Sequence, residues 1–172
     1  LERLVGLGLI KSIGVSNCTV ALLMDMLTYA KVKPVMNQIE INPYLSQKEV
    51  VDFHHKLNIH VTAFAPMGAN GWTYRPPQYK DLNLFTDKYL VELGAKYGKS
   101  SGQVVLNWHI HRGHSIIPKT ATDSRLSENL LVYDFKLTNE EYEAITALNN
   151  DVRTFNPNYC HLWAGVCAPL FN

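Results

Sequence analysis

At 172 residues, with 47% hydrophobic and 18% charged side chains, the chain has the composition of one ordinary globular domain, or at most two small ones. Sixteen Lys and Arg against 15 Asp and Glu leave a net charge of +1, and no basic run exceeds two residues, so neither nucleic acid nor an anionic membrane surface is an expected partner. Six Phe, nine Tyr and three Trp among abundant aliphatic residues exclude a disordered chain, and no apolar stretch reaches the ~18 residues that a membrane-spanning helix requires.

The N-terminus at Leu1 carries neither a signal-peptide core nor an initiator Met, so an incomplete chain is expected. Cys18, Cys160 and Cys167 are odd in number and lie outside any CxxC pair, which argues against a disulfide framework and against a structural zinc site. The cytosol is the simplest compartment for such a chain.

Between Leu9 and Leu148, short apolar runs with β-branched residues alternate with segments of helical spacing. Residues 12–16 read as the first strand and 19–31 as the helix after it; residues 35–40 read as the second strand. Ser46 with Glu49 matches a capping box, in which a hydroxyl and an acid or amide three residues on satisfy the free N–H groups of a helix start. Residues 60–65 read as the third strand. Between Met67 and Leu82 comes a long loop rich in Gly, Pro and aromatics, of the kind that is usually functional in a compact domain. Gly98 suits a left-handed helix stop, Ser100 with Gln103 forms a second capping box, and Gly113 marks the next stop. Residues 115–118 read as the fourth strand and 123–132 as a helix; Thr138 with Glu141 forms a third box. Connections this long join parallel strands, so the fold class is α/β. Residues 1–148 form this alternating unit, and residues 149–172, without periodicity, read as a second loop laid over a surface.

The strand ends are more specific than the strands. Ile13-Gly14-Val15-Ser16-Asn17, Asn37-Gln38-Ile39-Glu40-Ile41-Asn42-Pro43-Tyr44-Leu45, Val61-Thr62-Ala63-Phe64-Ala65-Pro66-Met67-Gly68 and Ile117-Pro118-Lys119-Thr120 occur in that order. Together they resemble the aldo-keto reductases, closest to the aldose and xylose reductase branch, over nearly the whole chain. The resemblance implies a (β/α)8 TIM barrel enzyme that reduces an aldehyde or ketone with NADPH, with its functional groups at the C-terminal ends of the strands. It also implies that these are the family's last four βα units, a half barrel, and that the Asp, Tyr, Lys and His catalytic tetrad belongs to the first four. No catalytic residue is therefore assigned in this chain. The expected partners are a small carbonyl substrate and an N-terminal barrel half, or another protein, covering the open side. The alternative is an inactive relative that serves as a structural or cofactor-binding subunit.

Residue by residue, the resemblance assigns Ser16, Asn17 and Gln38 to the nicotinamide carboxamide. Lys119, Thr120, Arg125 and Asn129 fall to the adenosine 2′-phosphate and adenine, and Phe64, Pro66, Met67 and Gly68 to the rest of the cofactor. Phe64 stands where a Tyr commonly stacks on nicotinamide, and it keeps the aromatic face that stacking needs. Ala65 stands where a Ser is frequent, which removes a possible phosphate contact. Trp72 and Trp163 lie on the irregular segments that would rim the barrel mouth and are candidate substrate contacts; Asn156 is a third because Arg153-Thr154-Phe155-Asn156-Pro157 resembles the tail of the sugar-reducing branch, which implies an Asn near substrate hydroxyls. Plainer readings compete: Asn37 and Gln38 as satisfied strand-end amides, Ser16 and Asn17 as helix caps, Lys119 and Arg125 as a solvated basic face. The seven His residues, with no metal-ligand spacing among them, are expected to be structural.

Overall fold

In the computed structural model, which describes residues 1–69 and 77–155, the β-branched runs form a four-stranded parallel sheet in the order β1-β2-β3-β4. A short helix α1 (Glu2–Gly6) precedes β1 (Val15–Ser16); α2 (Val20–Tyr29) leads to β2 (Met36–Glu40), and α3 (Lys48–Lys56) to β3 (His60–Phe64). A 3-10 turn (Pro77–Tyr79), α4 (Lys88–Tyr97) and α5 (Ser101–His111) come before β4 (Ser115–Ile116), and α6 (Asp123–Leu130) and α7 (Asn139–Thr146) follow it. The register sets Ser16 beside Gln38, Gln38 beside Thr62, Glu40 beside Phe64 and Ala63 beside Ile116. Sequential strands joined by helical crossovers are one arc of a (β/α)8 barrel, and polar residues end the strands along one rim.

The core lies between the central strands and the helices that cover them. Ile39, Val61 and Ala63 pack with Leu90 and Leu93 of α4, Val104, Val105 and Trp108 of α5, and Ile145 of α7. Helix α5 is buried on nearly every side from Gly102 to His109, as a helix sandwiched between a sheet and other helices must be. A smaller cluster of Cys18, Leu23 and Ile59 closes the β1 end.

Two of the three capping boxes form as read, at Ser100 with Gln103 and at Thr138 with Glu141. The box at Ser46 does not. Helix α3 starts from Gln47, whose left-handed backbone (φ 45°) makes no side-chain cap. Tertiary bonds claim the segment instead: Ser46 N–H donates to Asn149 Oδ1, Ser46 C=O accepts from Arg112, and Gln47 Nε2 donates to the Glu40 carbonyl. Gly98 and Gly113 adopt the left-handed conformation expected of helix stops. The edge strands are shorter than their apolar runs, β4 ending before Pro118, which has no N–H to extend a ladder. His54 and His55 lie in α3, and His109 and His111 in α5.

Candidate functional site

After β3 the chain turns sharply through Ala65, Pro66, Met67 and Gly68, closed by Gly68 N–H to Ala65 C=O at 2.9 Å. Ala65 holds a left-handed backbone (φ 46°), costly for a residue with a Cβ by about 1–2 kcal/mol. Gly68 (φ 76°) faces Leu84, whose Cδ1 would lie 3.2 Å from a Cβ there. Between this turn and the loop from β4 into α6 opens a cleft of about 800 Å³. Phe64, Ala65, Pro66 and Met67 line it from one motif, and Lys119, Thr120, Arg125 and Asn129 from another more than 50 residues later. Gly102 also lines it, and a Cβ there would lie 3.2 Å from the Phe85 ring.

Lys119 and Arg125 are exposed, and neither forms an ion pair among the described residues. They flank the start of α6, whose N-cap Thr122 makes no side-chain cap bond, so the first N–H groups of the helix point outward with the positive end of its dipole. The Thr120 hydroxyl accepts from Thr122 N–H at 3.1 Å and shapes that turn. The donor set fits an anion with several oxygens, such as a phosphate. Glu128, in the same cleft, contributes the opposite charge.

The Pro66 wall rests on two buried imidazoles. Pro66 C=O can only accept, so His109 Nε2, 3.1 Å away, donates, and His109 Nδ1 must then accept from His114 Nδ1 at 3.2 Å. Burial holds both rings neutral, His109 down to about 3 and His114 to about 2, with Arg112 adding to the effect.

At the opposite end of the sheet, Gln38 C=O accepts from both Asn17 N–H (2.9 Å) and Ser16 Oγ (3.0 Å), and Asn17 adopts the left-handed conformation that Asn tolerates. The cap of α2 is Thr19, not Ser16 or Asn17. The Gln38 side-chain amide has no hydrogen-bond partner among the described residues. Asn37 is the satisfied amide: it bonds both Cys18 N–H and C=O and donates to His54 Nε2 at 2.9 Å. Ser16, Asn17, Gln38 and Gly68 do not line the cleft that holds the other candidates.

Trp72, Asn156 and Trp163 lie outside the described residues. Three contributors carried no role in the sequence reading: Glu128, one turn along from Arg125; Phe85; and Phe155, next to the singled-out Asn156. Phe155 meets Phe64 in a T-shaped contact, centroids 5.4 Å apart. Its N–H and that of Thr154 bond the fully buried Glu40 carboxylate. Among the described residues no group of three or more His, Cys, Asp or Glu side chains could hold a metal ion, and no helix is long and apolar enough to cross a membrane.

The chain matches the model of the aldo/keto reductase family over residues 1–150. It is 42% identical to aldose reductase C of Dictyostelium discoideum over 91% of this chain and 46% of that protein. A protein named "Probable NAD(P)H-dependent D-xylose reductase xyl1" of Aspergillus clavatus is 39% identical over 91% of this chain and 48% of its own length. The crystal structure of Bombyx mori aldo-keto reductase AKR2E4 in complex with NADP superposes with a TM-score of 0.80 at 36% identity, over 89% of this chain and 49% of that one. The chain thus spans about half the length of the curated relatives it matches. With a family model covering most of its length and a parallel sheet that is half of the family's barrel, this chain belongs to the aldo/keto reductases.

Proposed function

We propose that this chain supplies the NADPH-holding half of a reductase that converts aldehydes or ketones, sugar aldehydes among them, to alcohols. The observation that carries the reading is the convergence of two distant motifs on one cleft, an aromatic turn from β3 and two cations at the start of α6 that form no ion pair among the described residues.

When bound, NADPH supplies the hydride that reduces the carbonyl carbon. Lys119, Arg125 and the α6 N-terminus hold the adenosine 2′-phosphate, Thr120 shapes their loop, and Asn129 faces the adenine. Phe64 presents its ring to the nicotinamide; Pro66, Met67 and Gly68 form the turn that seats the remainder. Ser16, Asn17 and the Gln38 amide, which has no hydrogen-bond partner among the described residues, orient the nicotinamide carboxamide. Trp72, Asn156 and Trp163 are proposed to meet the substrate. No residue of this chain is assigned to proton transfer, which belongs to the tetrad of the N-terminal half. That half, or a protein in its place, covers the edges at β1 and β4, where Leu22 and Met24 of α2 and Leu126 and Leu130 of α6 are exposed. The cysteine usage supports a cytoplasmic setting.

Titration of Arg125→Ala with both nucleotides tests the assignment. Loss of one charge-assisted contact weakens NADPH binding roughly 10- to 100-fold and leaves NADH nearly unchanged. Equal losses for the two nucleotides would sink it.

A further inference from the structure

We infer that Glu40 is a positioning residue of the cleft: its carboxylate fixes the backbone at Thr154 and Phe155 so that the Phe155 ring sets the orientation of Phe64. The inference rests on the reading of Phe64 as the nicotinamide-facing ring.

Glu40 ends β2, directly beside Phe64 in the register, and is fully buried. A carboxylate in such a place is unfavourable unless hydrogen-bonded. Its two oxygens divide their work, Oε1 accepting Thr154 N–H at 2.9 Å and Oε2 accepting Phe155 N–H at 3.0 Å, from a segment more than 110 residues away in sequence. Its own backbone carbonyl is gripped by Gln47 Nε2. Burial pushes the carboxyl upward, and the two amides together with the Arg153 charge work against that shift. The carboxylate sets one acceptor oxygen against each of two successive N–H groups, whereas an amide in the same pose would set its NH2 donor against one of them.

The consequence reaches the cleft. Phe155 and Phe64 both line it, their planes inclined at 75°. A T-shaped contact restricts the rotation of both rings. The order of dependence is therefore Glu40 carboxylate, Phe155 backbone, Phe155 ring, Phe64 ring. A tether of residues 154 and 155 alone would not require the aromatic contact; the contact is what ties Glu40 to cofactor binding.

The test uses the full 172-residue chain, with NADPH as the probe and amide hydrogen exchange as a second readout. Glu40→Gln turns one acceptor into a donor facing an N–H group. Protection of the Thr154 and Phe155 amides should fall roughly tenfold or more, and the NADPH Kd should rise about three- to tenfold. Phe155→Ala should raise the Kd similarly, and the double variant should bind no more weakly than the worse single one, because both changes break one chain of contacts. Should Glu40→Gln fail to fold, Phe155→Leu, which leaves Glu40 intact and removes only the ring, carries the same Kd prediction. Wild-type affinity in Glu40→Gln or Phe155→Leu, or multiplicative losses in the double variant, would overturn the role of Glu40 and leave the cofactor reading standing. A wild-type chain that binds no NADPH would overturn both.

Discussion

The two ends of the sheet treat polar side chains in opposite ways. At the β1–β2 end, Asn37 is buried and bonded to Cys18 and His54, and Ser16 and Asn17 bond the Gln38 carbonyl. At the β4–α6 end, Lys119 and Arg125 are exposed beside an uncapped helix start, with no ion pair among the described residues. The first pattern is how a protein satisfies itself, since a buried polar group without a partner costs about 1–3 kcal/mol. The second is how it leaves room for something else. Gln38 sits at the first end but shares the second pattern: its carbonyl serves the fold, while its side chain makes no hydrogen bond among the described residues, as the carboxamide role proposed for it requires.

If this contrast is right, disturbing the self-satisfied groups should change stability, and disturbing the exposed cations should change binding. The largest effect is expected from acid. His109 and His114 are held neutral in the fold at about 3 and about 2, whereas a free imidazole titrates near 6.5. Below pH 6.5 the unfolded chain takes up protons that the native chain does not. Stability is therefore full above that pH and falls as pH drops toward 3, by about 1.4 kcal/mol per pH unit for each ring. Thermal unfolding between pH 7 and pH 5 should show this decline. His109→Gln, which keeps a donor for Pro66 C=O, should flatten it, and identical slopes would contradict the buried-neutral assignment.

Next comes Asn37→Ala. It removes three hydrogen bonds and leaves Cys18 and His54 groups unsatisfied in the interior, so the unfolding free energy should fall by about 3 kcal/mol in urea titrations. An unchanged midpoint would mean that the network is incidental. The smallest change is Lys119→Ala, with no shift of the urea midpoint and roughly tenfold weaker NADPH binding. A destabilised Lys119→Ala with unaltered affinity would invert the comparison.

Legibility in the sequence followed range. Helix stops at Gly98 and Gly113 and starts at Ser100 and Thr138 were readable because each depends on neighbours within a few residues. The strand-end motifs named Phe64 and Lys119, and the parallel sheet brings the ends of β3 and β4 together so that both line one cleft; Arg125 rested on the family resemblance alone. Ser46 misled because its backbone is claimed by Arg112 and Asn149, 66 and 103 residues away. The start of α4 was hidden behind a loop without periodicity, although Asp87 caps it through Leu90 N–H. Phe155 escaped for the same reason as Ser46: nothing local marks a residue whose place is set by Glu40 on the second strand. The support that His109 gives Pro66 spans 43 residues and has no local sign in the sequence.

The role proposed for the β4–α6 end is to receive the 2′-phosphate. It is tested most directly by following the backbone amide resonances of the chain while titrating adenosine 2′-phosphate, with adenosine as the control. The account predicts that the phosphate ester alone moves the amides of Lys119, Thr120, Asp123, Ser124 and Arg125, and that its affinity weakens as salt is raised. Equal responses to both compounds, or shifts confined to residues outside this loop and the first turn of α6, would contradict it.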